Sequence, residues 1–148
     1  MPDVRITDEI VIAAPVELVY AHRLDFTQLP LINPNVLDLE RTDDLDALGP
    51  GASYRFLTRI EGMGDLPTTL VVTGADEPRS VSNMMESGVT ARETVTIDPV
   101  EDGARVTFDL TVELPDGAEE LIPMVRESSE KQVRLELENM KTLLEGNA

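Results

Sequence analysis

The order of apolar and polar positions predicts a strand, a short helical segment, a run of strands and a long closing helix. The first strand spans residues 4–12, where isoleucines share one face and polar residues dominate the other. Pro15 predicts a helix start, because proline lacks an N–H and fits the first helical turn. Pro30 and Pro34 limit the next segment to a short helical turn. Two short helices are therefore expected between strands 1 and 2.

Residues 36–114 predict the rest of an antiparallel sheet. The clearest strand is the last one, where Val106, Phe108 and Leu110 alternate with charged residues and threonines. The short connections leave no room for the crossover helices that parallel strands require. The predicted strands after the first are 36–42, 53–61, 68–73, 79–86, 90–97 and 104–114. The pattern thus predicts a sheet of about seven strands.

The end of the chain predicts one long amphipathic helix over residues 123–145. Its apolar residues recur at spacings of three and four, and Ser129 lies within the stripe that they form. The stripe consists of Ile122, Val125, Val133, Leu137, Met140 and Leu144. Met124 and Leu135 fall off it and are either ordinary exposed apolar residues or part of a homodimer contact; their small number favours the first interpretation.

Several short segments, spread over almost the whole chain, carry a family resemblance. They are Ile12-Ala-Ala-Pro15 with Val19-Tyr20, Asp25-Phe26 with Leu29-Pro30, Asn33-Pro34-Asn35-Val36, Gly49-Pro50-Gly51 before Tyr54-Arg55-Phe56, Gly103 to Phe108, and Leu137 to Glu145. Together with the element order, they resemble the START-like helix-grip superfamily, also called SRPBCC, which includes polyketide cyclase/dehydrase-like proteins. The resemblance implies an α+β helix-grip fold in one domain over residues 1–148. In that fold, a seven-stranded antiparallel sheet curves around a long C-terminal helix.

The resemblance also implies an apolar ligand cavity between the sheet and the terminal helix. Strand alternation indicates which side chains line it, provided that the face carrying Phe56 and Val95 is the inner one. The expected lining residues are Tyr20, Tyr54, Phe56, Thr58, Asn83, Met85, Glu93, Val95, Phe108, Ser129 and Val133. In the opposite register Arg55, Arg59 and Arg92 would point inward and could bind an acidic group. Arg126 is a further candidate for the cavity wall.

The candidate catalytic residues are Glu93, Tyr54 and Asn83, which alternation can place inside the cavity. A carboxylate at Glu93 among apolar groups would have a raised pKa and could act as a general acid or base. Tyr54 or Asn83 could then orient a carbonyl or hydroxyl group. The alternative is that Glu93 lies in water at the open end of its strand.

Composition excludes several classes of function. The net charge of -17 disfavours nucleic acid and anionic lipid surfaces as partners, since both bind through Lys/Arg clusters. The absence of cysteine rules out disulfides, thiolate catalysis and cysteine zinc sites. His22, the single histidine, is expected on the solvent side or at the cavity rim, so no metal site and no cofactor are expected. No apolar run is long enough to span a membrane and no secretory signal is apparent, which favours a cytoplasmic protein.

Three functions remain open at this point. The preferred one is the binding of a small hydrophobic molecule such as a lipid, polyketide or isoprenoid. The second is an enzyme of the cyclase or dehydratase kind that uses the candidate acid/base residues. The third is a protein-interaction module, which would have a filled core and would use its acidic surface.

Overall fold

The protein folds as one antiparallel sheet, three α-helices and two single turns of 3-10 helix in the residues that the computed structural model describes, 3–60 and 64–146. The strands are β1 (Asp3–Ile12), β2 (Val36–Arg41), β3 (Ser53–Ile60), β4 (Gly64–Asp76), β5 (Ser80–Glu86), β6 (Thr90–Val100) and β7 (Gly103–Glu113). The α-helices are α1 (Val16–Leu24), α2 (Leu29–Ile32) and α3 (Ile122–Gly146), and the 3-10 turns are Phe26–Gln28 and Glu119–Leu121.

The sheet has the strand order β1-β7-β6-β5-β4-β3-β2, with every neighbouring pair antiparallel. The predicted helix-grip fold class is therefore confirmed. Two strands are longer than expected: β4 spans Gly64–Asp76 and β6 continues to Val100. Prolines and glycines within them are tolerated by the ladder, although in the sequence they mark strand ends. The turn expected at 62–65 falls partly outside the described residues.

The core lies between the inner face of the sheet and α3. Val106 and Phe108 of β7 are fully buried, as strict alternation along this strand predicts. On α3, the buried part of the apolar stripe consists of Val133, Leu137, Met140 and Leu144. The stripe residues nearer the start of α3, Ile122 and Val125, are only half-buried. The core is thus tightest around the C-terminal half of the helix.

Helix α3 also covers the free edge of the sheet. The side chains of Arg134 and Lys141 donate hydrogen bonds to the backbone carbonyls of Glu9 and Val11 in β1, at 3.1 and 3.0 Å. These carbonyls have no strand beyond them, because β1 is the edge strand next to β7. Cationic side chains from the helix thereby replace a strand partner and protect the edge from pairing with another chain.

The start of β7 fits against the end of β1 without room for a side chain. A Cβ atom built on Gly103 would lie 2.2 Å from the carbonyl oxygen of Ile12. Gly74, in the bulged part of β4, has a much looser environment, since the nearest atom to its Cβ position is 3.8 Å away in Ser82. Gly103 is therefore required by close packing of the backbone.

The short helices between β1 and β2 bring polar side chains over the inner face of the sheet. Pro15 precedes α1 in an extended conformation, as predicted for a proline at a helix start. After α1, the carboxylate of Asp25 accepts a hydrogen bond from the Thr27 N–H at 3.1 Å and caps the first 3-10 turn. Asn139 of α3 donates to the carbonyl of Ile32 at 2.9 Å and ties α2 to the long helix. The end of α1 is thus fixed between the sheet and α3.

Candidate functional site

A buried arginine stands at the centre of the interior. Arg23, at the end of α1, is 3% exposed and forms an ion pair with Glu93 of β6 through its Nη2 atom. Its Nη1 atom lies 3.8 Å from a carboxylate oxygen of Glu136 on α3. One guanidinium group therefore joins the three elements that enclose the interior, α1, the sheet and α3.

Two aromatic rings hold the guanidinium group of Arg23 in place. Its Cζ atom lies 4.9 Å from the ring centre of Phe26 and 4.8 Å from that of Phe108. Both distances are within the range of cation–π attraction, which is stronger where water is excluded. The rings supply an apolar surround that keeps the charged group at a fixed position.

A second polar side chain approaches Glu93 from the neighbouring strand. Asn83 of β5 lies directly opposite Glu93 in the ladder, and its Nδ2 atom donates to Glu93 Oε1 at 3.1 Å. Asn83 and Glu93 are 2% and 6% exposed, so this pair is inside the core. The Oδ1 atom of Asn83 and the Nε atom of Arg23 are buried and have no hydrogen-bond partner among the described residues.

The second carboxylate is held from the opposite side. Asn33, which follows α2, donates from Nδ2 to Glu136 Oε2 at 2.8 Å. Burial, and to a lesser extent the neighbouring Glu93, raise the pKa of Glu136 from its ordinary 4.5 to about 7, against the opposing effects of Arg23 and Asn33. Near neutral pH this carboxyl group is therefore divided between its protonated and ionised forms. We refer to Arg23, Asn33, Asn83, Glu93 and Glu136 as the polar cluster.

Tyr54 lies beside the polar cluster, on β3. Its ring packs against Phe26 at 5.7 Å between centres, and the residue is 1% exposed. Its hydroxyl group is buried without a hydrogen bond of normal geometry to any described residue. Burial raises the pKa of this phenol above its ordinary value, so the group stays protonated at neutral pH.

The interior is closely packed around these groups. A gap with about 150 Å³ of empty space lies next to Arg23, between α1 and α2, and is too narrow for a water molecule. Its lining residues are His22, Arg23, Asp25, Phe26, Leu29 and Ile32. A larger depression of about 450 Å³ lies on the other face of the sheet and is lined mostly by outward-facing residues such as Arg5, Thr94 and Asp109. The interior gap is thus much smaller than a ligand cavity, which typically measures about 300–1,000 Å³.

One end of the interior is less densely covered than the rest. It lies where α3 begins and where the hairpin between β5 and β6 turns, and its apolar residues are only half-buried. They are Met85, Val89, Ala91, Ile122 and Val125, and we call this set the mouth. Met85 and Ala91 lie in the same row of the sheet as Tyr54, next to the row that contains Asn83 and Glu93.

The sequence matches the model of one protein family over residues 3–145, and this family is described as polyketide cyclase/dehydrase and lipid transport. The chain belongs to this family. The resemblance to START-like, SRPBCC proteins is thereby confirmed. No curated protein matches the chain in sequence.

Solved structures share the fold of this family member at low sequence identity. A START superfamily protein from Mycobacterium smegmatis is 18% identical with a TM-score of 0.79, covering 97% of this chain and 99% of its own. A protein from Thermus thermophilus is 21% identical with a TM-score of 0.80, covering 99% of each chain. The di-domain aromatase/cyclase StfQ from the steffimycin pathway is 12% identical with a TM-score of 0.83 over 98% of this chain, which spans only 52% of StfQ. These likenesses show the fold.

Alternation along the strands places most of the predicted lining residues on the inner side of this family member. Eight of them are buried: Tyr20, Tyr54, Phe56, Asn83, Glu93, Val95, Phe108 and Val133. Thr58, Met85 and Ser129 are half-buried, and Thr58 shares a hydrogen bond of 2.8 Å with Thr68. The polar cluster contains Glu93 and Asn83 of this set, while Tyr54 lies one row of the sheet closer to the mouth. Their roles in binding or catalysis stay predictions.

The arginines of the opposite register face outward. Arg55, Arg59 and Arg92 are exposed and pair with acidic residues on the outer face of the sheet. The alternative in which they line the cavity is therefore wrong. Arg126 is also exposed, and it donates to the carbonyl of Arg5 at 3.3 Å rather than facing the interior.

The expected position of His22 is wrong. This residue is only 5% exposed, and its Nδ1 atom lies 2.6 Å from Gln28 Oε1. The helix α1 is covered on two sides, by the sheet and by the turn that carries Gln28, so its second face is not open to solvent. Burial lowers the pKa of His22, which keeps the ring neutral near pH 7. Among the described residues, no three His, Asp or Glu side chains come together as a metal site.

Three members of the polar cluster, Arg23, Asn33 and Glu136, were not singled out from the sequence as candidate site residues, although two of them left a signal in it. Arg23 shares the helical face of Val19 and Tyr20, and a charged residue on the inner side of a helix is an informative signal. Glu136 lies three residues after Val133 and four before Met140, so helical spacing places it at the edge of the apolar stripe. Both signals were present in the sequence, but neither identified the partner across the interior.

No helix in the described residues has the length and apolar character needed to cross a membrane.

Proposed function

We propose that this protein binds a small, largely hydrophobic molecule between the sheet and α3, with the polar end of the molecule at the polar cluster. The observation that carries this proposal is the unused hydrogen-bonding capacity of Arg23 Nε and Asn83 Oδ1 inside an otherwise apolar interior. Buried polar atoms nearly always have partners, so two unpaired atoms around one carboxylate favour a ligand at that position. Membership of a family described by lipid transport and polyketide cyclisation supports the same conclusion.

Binding requires the interior to open, because the gap beside Arg23 does not hold even a water molecule. The half-buried start of α3 is the segment that can move at the lowest cost, since Ile122 and Val125 bury less apolar surface than Leu137 and Met140. The ligand would enter by the mouth and displace this part of α3 from the sheet. Its apolar body would then replace the contacts that the helix gives up.

Saturable binding of the neutral lipophilic dye Nile red tests this proposal. Ala91 lies on the inner face of β6 at the mouth, and Ala91→Phe should fill the entry and weaken dye binding by about tenfold or more. Thr94→Phe is the matched control, because it adds the same ring to the exposed outer face of the same strand. Equal dye affinity in the two variants would place binding elsewhere.

Native mass spectrometry of freshly purified protein, repeated after denaturation and solvent extraction, gives an independent answer. A discrete mass released on unfolding would identify the ligand class. A bare protein mass together with no saturable dye binding would contradict the proposal and favour the interaction module with a filled core.

A second candidate function is an enzyme of the cyclase or dehydratase kind. The specific observation in its favour is Glu136, whose carboxyl group both holds and releases a proton near pH 7 next to the proposed ligand position. Glu93 already forms an ion pair with Arg23 and accepts a hydrogen bond from Asn83. With a polyketide-like substrate, Glu136→Gln should abolish turnover and leave binding intact, whereas an unchanged rate would remove Glu136 from the mechanism.

A further inference from the structure

The charges of the polar cluster restrict the ligand that it can hold. Arg23 is the one buried Lys or Arg side chain in the described residues, and two carboxylates, Glu93 and Glu136, already flank it. A ligand carboxylate would add a third negative charge around a single guanidinium group in a region of low dielectric constant. An ammonium group has no lone pair, so it cannot accept a hydrogen bond from the unpaired Nε–H of Arg23. The cluster therefore favours a polar group without charge.

The two unpaired atoms define the hydrogen bonds that this group must make. The Nε–H of Arg23 can only donate, because guanidinium has no acceptor. The orientation of the Asn83 amide is fixed by chemistry, since only its NH₂ group can donate to the carboxylate of Glu93. Its Oδ1 atom is therefore an acceptor that needs a donor. The side chains of Arg23 and Asn83 both donate to the same atom, Glu93 Oε1, so the unpaired donor and the unpaired acceptor belong to the same part of the polar cluster.

We propose that the polar end of the ligand is an uncharged hydroxyl group, which accepts a hydrogen bond from Arg23 Nε and donates one to Asn83 Oδ1. This inference rests on the proposed function. A hydroxyl group is the smallest group that can do both. A ketone or an ether can satisfy Arg23 but leaves Asn83 Oδ1 unpaired, and burial of such an acceptor is unfavourable. The ligand class is thus a long-chain or polycyclic alcohol, enol or phenol.

A series of probes with one apolar chain and different ends tests the inference. The probes are decanol, decyl methyl ether, decanoate and decylammonium, each used below its critical micelle concentration to displace Nile red at about pH 8, where Glu136 is mostly ionised. Decanol should displace the dye at a concentration about tenfold or more below those of decanoate and decylammonium. It should also bind about threefold or more tightly than the ether, which cannot donate to Asn83.

The variant Asn83→Leu removes the acceptor and keeps a similar volume. Decanol and the ether should then bind this variant with equal affinity, each measured against the variant's own affinity for the dye. Ser82→Ala, on the outer face of the same strand, is the matched control and should keep the preference for decanol. Thermal unfolding checks that both variants fold; if Asn83→Leu does not fold, the four-probe comparison in the unaltered protein decides alone.

The outcomes separate this inference from the proposed function. If dye and probes bind but decanoate equals or exceeds decanol, the hydroxyl assignment is wrong and the binding function stands. If the ether equals decanol in the unaltered protein, the assignment of Asn83 Oδ1 as an acceptor for the ligand is wrong. If neither dye nor any probe binds, the proposed function itself is contradicted, and this inference with it.

Discussion

Arg23, Glu93 and Glu136 together bury more negative than positive charge at neutral pH, and this has a direct effect on stability. Taking a carboxylate out of water costs several kcal/mol unless a partner compensates it. Glu93 has the ion pair with Arg23 and the amide of Asn83, whereas Glu136 is 3.8 Å from the guanidinium group and has one amide partner. Glu136 is therefore the group that takes up a proton as the pH falls.

The variant Glu136→Gln should be more stable than the unaltered protein at about pH 8 and lose this advantage at about pH 5. The pKa of Glu136 is raised to about 7 in the folded state, above its ordinary 4.5, so the folded state binds more protons and loses stability as the pH rises through this interval. The loss is up to about 3 kcal/mol. Urea unfolding at both pH values measures it, with exposed Glu138→Gln on the same helix as the control.

His22 has the opposite effect on the pH dependence of stability, so the free energy of unfolding of Glu136→Gln must be compared with that of the unaltered protein at each pH. Its pKa is lowered in the folded state, so its contribution to stability increases as the pH rises toward the ordinary value of 6.5. The difference between Glu136→Gln and the unaltered protein cancels this effect. Parallel pH profiles for the two proteins would show that Glu136 has no raised pKa.

The alternation of residues predicted which side of each strand faces inward, but it did not predict which side chains contact each other across the interior. Glu93 and Asn83 follow strand alternation, and so their burial is readable from neighbours two positions away. The contact between Arg23 and Glu93 joins residues 70 positions apart, and it depends on how far α1 reaches over the sheet. The spacing of residues within one helix or strand does not indicate how far α1 reaches over the sheet.

At the scale of elements, the order of strands and helices was predictable because each has a distinct period and clear boundary residues. The bounds of β4 and β6 were harder to predict, because Gly and Pro within these strands are residue types that usually mark a strand end in a sequence. The size of the interior gap was not predictable at all. The size of this gap depends on how closely α1, α2 and α3 approach the sheet. The same set of apolar side chains can either pack into a filled core or line the wall of a cavity.

The junction between β1 and β7 should be the element contact most sensitive to a single added methyl group. Gly103→Ala would place its Cβ 2.2 Å from the backbone oxygen of Ile12, where no side chain can rotate away. The expected loss is about 2–3 kcal/mol in the free energy of unfolding, measured by urea denaturation. Gly74→Ala, with its nearest neighbour at 3.8 Å, is the control and should change stability by less than about 1 kcal/mol. Similar losses in both variants would indicate a general strand effect instead.

At the scale of the whole molecule, the surface carries a large excess of negative charge, -17 in formal net charge. Several exposed ion pairs, such as Arg5 with Asp109 at 2.6 Å, act against this repulsion locally. Exposed pairs are typically worth less than about 1 kcal/mol each, and many acidic residues have no cationic partner available, since the chain has 29 acidic and 12 basic residues. Net repulsion therefore dominates the dependence of stability on salt.

Raising NaCl from about 20 mM to about 200 mM should raise the unfolding temperature by a few degrees, because the screening length falls to less than about 10 Å. Differential scanning calorimetry measures the shift. Sucrose at equal osmolality is the control, since it changes solvent exclusion without screening charge. A fall in the unfolding temperature on adding salt would show that the local ion pairs outweigh the net charge.

The pairing of β1 with β7 has a consequence for the synthesis of the chain. Ile12 pairs with Ala104 and Asp3 with Glu113, so the partner of β1 leaves the ribosome roughly a hundred residues after β1 itself. At translation rates of about 5–20 residues per second, the apolar face of β1 waits roughly 5–20 s without a sheet. Strands β2 to β7 can pair in order as hairpins during this time. Strand β1 is thus synthesised before the other strands of this sheet but joins the sheet after them. We expect nascent chains to expose β1 to chaperones until α3 emerges and covers its edge.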